Sequence, residues 1–175
     1  MTGIQRRAVF EAGLTLQAVQ VAEHQITFCL TWVFPRDDSM RLHALYALDA
    51  KHQRLTLGRL VSELRERATI RDDFDQLLCD FITRRNRFAH KLFTEDEHLL
   101  ENDACAARVT EFLLALQDIV VQVQTAFLGH LVQWGQSASN VSGLREFTDG
   151  LLRDSPRLQR IQRSHKDVIR CRRTV

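Results

Sequence analysis

Two prolines and seven glycines in 175 residues leave little to interrupt a helix. The four cysteines, Cys29, Cys79, Cys105 and Cys171, stand far apart without a C-x-x-C pair, which argues against a zinc site or a disulfide framework. Cys29, Cys79 and Cys105 fall inside helical patterns and read as small buried hydrophobes in a reducing compartment. No Gly-rich phosphate loop, dinucleotide fingerprint or Ser, Cys or Asp nucleophile arrangement is present, so no cofactor is expected. Met1 to Arg7 holds no apolar signal segment and no run is read as reaching a membrane span; the expectation is a cytoplasmic protein without a membrane role. Alternating strand patterns, Asn-Gly hairpins and repeats are missing too. Lysine is scarce, three against 21 arginines. That bias suits planar phosphate recognition, but it runs through every segment and also fits a GC-rich genome.

What is present is ordinary for a folded soluble chain: 45% hydrophobic, 26% charged and a net charge of +2. The pattern predicts an all-α protein, a helical bundle of four to five main helices over 1–150, with a basic C-terminal helix or tail over 151–175. A first helix runs from Gln5 to about Phe34, with Phe10, Leu14, Ala18, Val21, Ala22, Phe28 and Cys29 as its apolar face. Pro35 to Ser39 ends it, and Met40 to about Ala50 forms a second, carrying Leu42, Leu45, Tyr46 and Leu48. Thr56 is a cap candidate for a third, Leu57 to about Arg67, with Leu57, Leu60, Val61 and Leu64 inward. Asp72 and Asp73 suit the N-terminal dipole of a central helix reaching about Phe93. An acidic loop covers Thr94 to Asn102, and Asp103 to about Gln136 is the longest periodic stretch. Gly135 to Gly143 carries turn chemistry, and a short helix follows from Leu144 to Leu152.

The central helix is where the chain stops being generic. Its apolar residues fall at Phe74, Leu77, Leu78, Phe81, Phe88, Ala89 and Leu92, and at about 100° per residue Arg85 sits in the middle of that stripe. A guanidinium keeps its proton, so Arg85 must face a carboxylate, carbonyls, a wet cleft or a phosphate. Asn86 and His90, four apart, share a flank of the same helix. The helix thus offers an anion binder, a polar orienter and a histidine, the side chain that changes charge near neutral pH.

This Arg-Asn-x-x-x-His pattern, Arg85 to His90, resembles the HEPN superfamily, whose signature is an Arg, four to six residues, then a His. Leu55-Thr56-Leu57-Gly58-Arg59-Leu60 is similar to a piece found in some single-domain HEPN proteins. The resemblance implies a homodimer whose two motifs line one cleft and, in active members, RNA cleavage without a metal. Arg85 would then hold the scissile phosphate, His90 would move protons at the 2′-oxygen or the leaving 5′-oxygen, and Asn86 would orient the pair. A toxin, defence or stress role, with an antitoxin or inhibitor protein as partner, fits the same resemblance. Inactive members leave a second reading open: a dimer that binds RNA, a nucleotide or a partner protein without cutting. A third makes Arg85 half of a buried ion pair that fixes helix register.

Arg84, Arg87 and Lys91 flank the motif as candidate RNA contacts, with Arg87 roughly opposite the apolar stripe. The tail carries eight Lys/Arg and two Asp from Leu151 onward, either an electrostatic grip on nucleic acid or a solvated terminus. Glu95, Asp96, Glu97, Glu101 and Asp103 lack ligand spacing, so no metal site is expected there.

Overall fold

The computed structural model describes residues 1–34, 42–92, 102–137 and 168–171. Among them are five helices: α1 (Gly3–Phe28), α2 (Leu42–His52), α3 (Leu57–Arg67), α4 (Asp72–His90) and α5 (Asp103–Ser137). Two three-residue strands, β1 (Ala68–Ile70) and β2 (Ile169–Cys171), complete the elements. The protein is all-α, as its periodicity predicts.

The strands correct the expectation of no β structure. β1 and β2 pair antiparallel with Thr69 opposite Arg170, and Arg71 N donates to Val168 O at 3.0 Å. Three residues are too few for an alternation to register in the sequence, and β2 comes from the stretch read as a basic helix or tail. The bend at Pro35 to Ser39, the acidic loop before Asn102, the helix at Leu144 to Leu152 and the rest of the tail lie outside the described residues.

Two compact units divide the chain: Met1–Ala22 with Gln76–Val123, and Glu23–Asp75 with Gln124–Val175. In the first, Ala8, Val19 and Ala22 of α1, Leu78, Phe81 and Phe88 of α4, and Leu113, Leu116 and Val120 of α5 are buried. Gln117 Nε2 donates to Glu11 Oε2 at 3.0 Å and to Thr15 Oγ1 at 2.9 Å, tying α5 to α1. Asn102 caps α5, its side-chain oxygen accepting from Cys105 N at 2.9 Å.

α1 reverses part of its expected face. Phe10, Leu14 and Val21 are 63%, 42% and 44% exposed, while Ala8, Thr15, Val19, Ala22 and Ile26 point inward. The helix carries two periodic stripes, and the one through Ala8, Thr15, Val19, Ala22 and Ile26 is buried. α5 also departs from expectation, because Asp103–Gln136 is long and apolar enough to cross a membrane by length and composition. Only 39% of that apolar window is buried.

The second unit is built around α3. Thr56 Oγ1 accepts from Arg59 N at 3.4 Å as its cap, and Leu57, Leu60, Val61 and Leu64 are buried as the spacing predicts. α1 continues into a π-helical turn, Cys29–Val33, closed by Phe34 N donating to Cys29 O at 2.8 Å. Pro35 follows directly, and a residue before proline is pushed out of helical geometry; Phe34 sits at φ −120°, ψ 57°.

Candidate functional site

The first candidate lies on α4, in the first unit. Its first turn carries Asp72, Asp73 and Asp75, carboxylates that suit the helix N-terminus, while Arg87 and His90 occupy its last turn, where cations suit the dipole. Phe74, Leu78, Phe81, Phe88 and Leu92 are buried; Leu77 is half-buried, and Ala89 is exposed rather than inward. Arg85 is half-buried within this stripe, and its Nη1 donates to Asn86 Oδ1 at 3.4 Å. The guanidinium therefore turns out of the stripe towards the flank that Asn86 shares with His90, both exposed. A cation, an amide and an imidazole thus line one wet edge of the helix, the requirement set by a guanidinium among apolar residues.

Arg84 and Arg87 separate from that edge. With Asp80, Thr83 and Phe112 they line a groove of about 350 Å³ between α4 and α5. The Arg87 guanidinium lies over the Phe112 ring, 4.9 Å from its centroid, a cation–π stack. Lys91 is exposed in the turn after α4.

The second constellation was not foreseen. Arg67, 7% exposed, reaches across the second unit. Its Nη1 donates to Leu30 O at 2.8 Å and to Phe34 O at 3.4 Å, satisfying carbonyls at the π-helical turn. Its Nη2 donates to Glu63 Oε2 at 2.5 Å and approaches His52 Nε2 at 3.2 Å. His52 Nδ1 lies 2.8 Å from Thr31 Oγ1, which itself donates to Thr27 O at 2.9 Å. In one proton arrangement neutral His52 donates from Nδ1 to Thr31 and accepts from Arg67 at Nε2, with Glu63 Oε2 3.3 Å from that same Nε2. A guanidinium among apolar residues needs partners, and Arg67 is buried where Arg85 is only half-buried. The signal was available as Glu63 and Arg67, four apart beside the apolar face of α3.

Burial first and the Arg67 charge second lower the pKa of His52, with Glu63 opposing them. Burial alone would raise the Glu63 carboxyl, but the charges of Arg67 and His52 outweigh it and hold that pKa below the ordinary carboxylate value. Both shifts make the folded state bind fewer protons than the unfolded chain, so acid destabilises. Stability should be full above pH ~6.5, decline as His52 is forced to charge, and fall again below pH ~4.5 through Glu63. Urea midpoints from pH 8 to pH 4 check this. In His52→Gln the first decline should vanish and the second remain; an unchanged profile would refute the assignment.

Cys29 is buried, its thiol donating to Phe127 O at 3.7 Å and pushed far above the usual thiol range by burial, so it is an inert packing residue. Cys79 and Cys105 are half-buried. No family model, curated protein or solved structure matches the chain.

Proposed function

We propose that this chain is a HEPN-like, metal-independent endoribonuclease that works as a homodimer with Arg85, Asn86 and His90 at a composite cleft. The observation that carries the reading is the Arg85 guanidinium turned towards Asn86 on the flank of His90. Arg85 holds the scissile phosphate and offsets the charge that develops on it. His90 takes a proton from the 2′-hydroxyl or gives one to the leaving 5′-oxygen, and Asn86 fixes the guanidinium between them. The assay is incubation of purified protein with labelled structured and unstructured RNA in EDTA. Cleavage that persists in EDTA supports the nuclease. Salt-sensitive binding without cleavage moves the function to a non-catalytic RNA-binding dimer, and silence on both counts rejects the two readings together.

A composite cleft needs two copies, and α1 offers a surface for association. Phe10, Leu14, Gln17 and Val21, all exposed, follow four-three spacing along its outer side, the spacing of a coiled-coil seam. Between Ala8 and Ala22 the only charge is Glu11, which faces Gln117. Two such helices packed antiparallel set Phe10 opposite Val21, and exposed apolar stripes of this extent mark interaction surfaces. Light scattering at micromolar concentration should report a dimer. Phe10→Glu with Leu14→Glu should weaken association at least ~tenfold with helicity unchanged, since a charge in an apolar seam stays unpaired. Only monomer in the wild type would remove the composite site.

A further inference from the structure

We propose that the α4–α5 groove is a base-reading subsite for guanine on the RNA strand, a proposal that rests on RNA being the ligand of the Arg85–His90 edge. Its volume of about 350 Å³ lies at the small end of ligand sites and suits a single nucleotide. Three features of its lining match the three parts of that ligand.

The first is the stack. The Arg87 guanidinium over the Phe112 ring makes a planar, cationic platform at the groove wall, and RNA-binding proteins stack unpaired bases on such aromatic and guanidinium planes. The second is a charge. Arg84 is half-buried and has no hydrogen-bond or ion-pair partner among the described residues. A fork of five donors at the groove edge is suited to a phosphate.

The third feature sets specificity. Asp80 lies four residues before Arg84, yet its Oδ1 accepts from Gln76 Nε2 at 3.1 Å and the two charges stay unbridged. An ionised carboxylate only accepts. Guanine alone presents two adjacent N–H donors, N1 and N2, on its Watson–Crick edge. Adenine and cytosine set a ring acceptor beside their amino group, and uracil flanks its single N–H with carbonyls, so each of the three meets Asp80 with a repulsive neighbour.

Position links the groove to the chemistry. Thr83 lines the groove, and His90 lies seven residues on, turned about 20° and about 10 Å along the helix. A strand seated in the groove and continuing along α4 therefore reaches His90 within a short step. Cleavage should fall beside a guanine.

The test uses His90→Ala protein, so that RNA stays intact, and fluorescence anisotropy with uridine oligonucleotides carrying one central G, A, C or U. The G oligonucleotide should bind about tenfold tighter than the other three. Asp80→Asn should abolish that preference while leaving the all-U affinity unchanged or slightly tighter. Arg84→Gln should weaken all four equally and reduce the salt dependence. Equal affinities, a preference that survives Asp80→Asn, or no binding of any oligonucleotide overturns the subsite. Failure of the nuclease reading appears separately, as a wild type that keeps the G preference and leaves RNA uncut.

Discussion

Arg67→Ala should cost about 3–5 kcal/mol of folding stability, the range for removing one member of a buried charge pair. The substitution strips the Glu63 carboxylate of its closest cation and leaves Leu30 O and Phe34 O without the donor that reaches them. Neither group has water to turn to, because Glu63 and His52 are buried with Arg67. The large figure is a cost of breaking the set, and a second variant separates that from its net worth. Arg67→Met together with Glu63→Leu removes both charges and should be markedly less destabilised than Arg67→Ala alone. Arg67→Lys keeps the charge but not the fork that bonds two carbonyls and a carboxylate at once, so it should fall between wild type and alanine. Urea unfolding at pH 7 reads all three. A wild-type midpoint for Arg67→Ala would sink the account of this cluster.

The same guanidinium serves the π-helical turn of the second unit. Opening the ladder at Cys29–Val33 places Leu30 O and Phe34 O within reach of one guanidinium, and such turns persist where surrounding contacts over-determine them. Pro35 requires the first helix to end before it, but hydrophobic spacing does not show how the last carbonyls are bonded. That bond comes from a residue more than thirty positions away, and hydrophobic spacing carries no information about such pairings.

α3, α4 and α5 were legible almost to the residue because each has one dominant apolar stripe and a nearby cap. Thr56, the aspartates at 72 and 73, and Asn102 stand where helix starts require them. α1 misled because it has two stripes and spacing does not rank them. Ala8, Thr15, Val19, Ala22 and Ile26 went inside, and Phe10, Leu14 and Val21 were left outside. On α4 the spacing placed Arg85 within the apolar stripe and His90 on the flank, but the turn of the guanidinium towards Asn86 is a rotamer outcome. The α4–α5 groove was invisible for a related reason. Phe112 reads as one more apolar position of α5, and only packing within the first unit shows Arg87 lying over it.

His90→Ala should lower RNA cleavage in EDTA by about 10²–10⁴-fold, the usual worth of a positioned proton-transfer group. It should leave RNA affinity nearly intact, because phosphate contacts, not the imidazole, dominate binding. The side chain is exposed at the last turn of α4, so its removal should not unfold the helix, and the thermal midpoint checks that. Arg85→Ala should lose both turnover and affinity; Arg85→Lys should recover part of the affinity and little of the turnover, since a point charge lacks the fork that follows phosphate geometry. A metal-free mechanism through the 2′-oxygen adds a chemical readout. In the proposed mechanism the 2′-oxygen attacks phosphorus as the 5′-oxygen departs, so the products should carry a 2′,3′-cyclic phosphate and a 5′-hydroxyl, and a single 2′-deoxy nucleotide at the cut site should block the reaction. Cleavage of the deoxy-substituted strand, or His90→Ala turnover equal to wild type, would place the chemistry elsewhere than on α4.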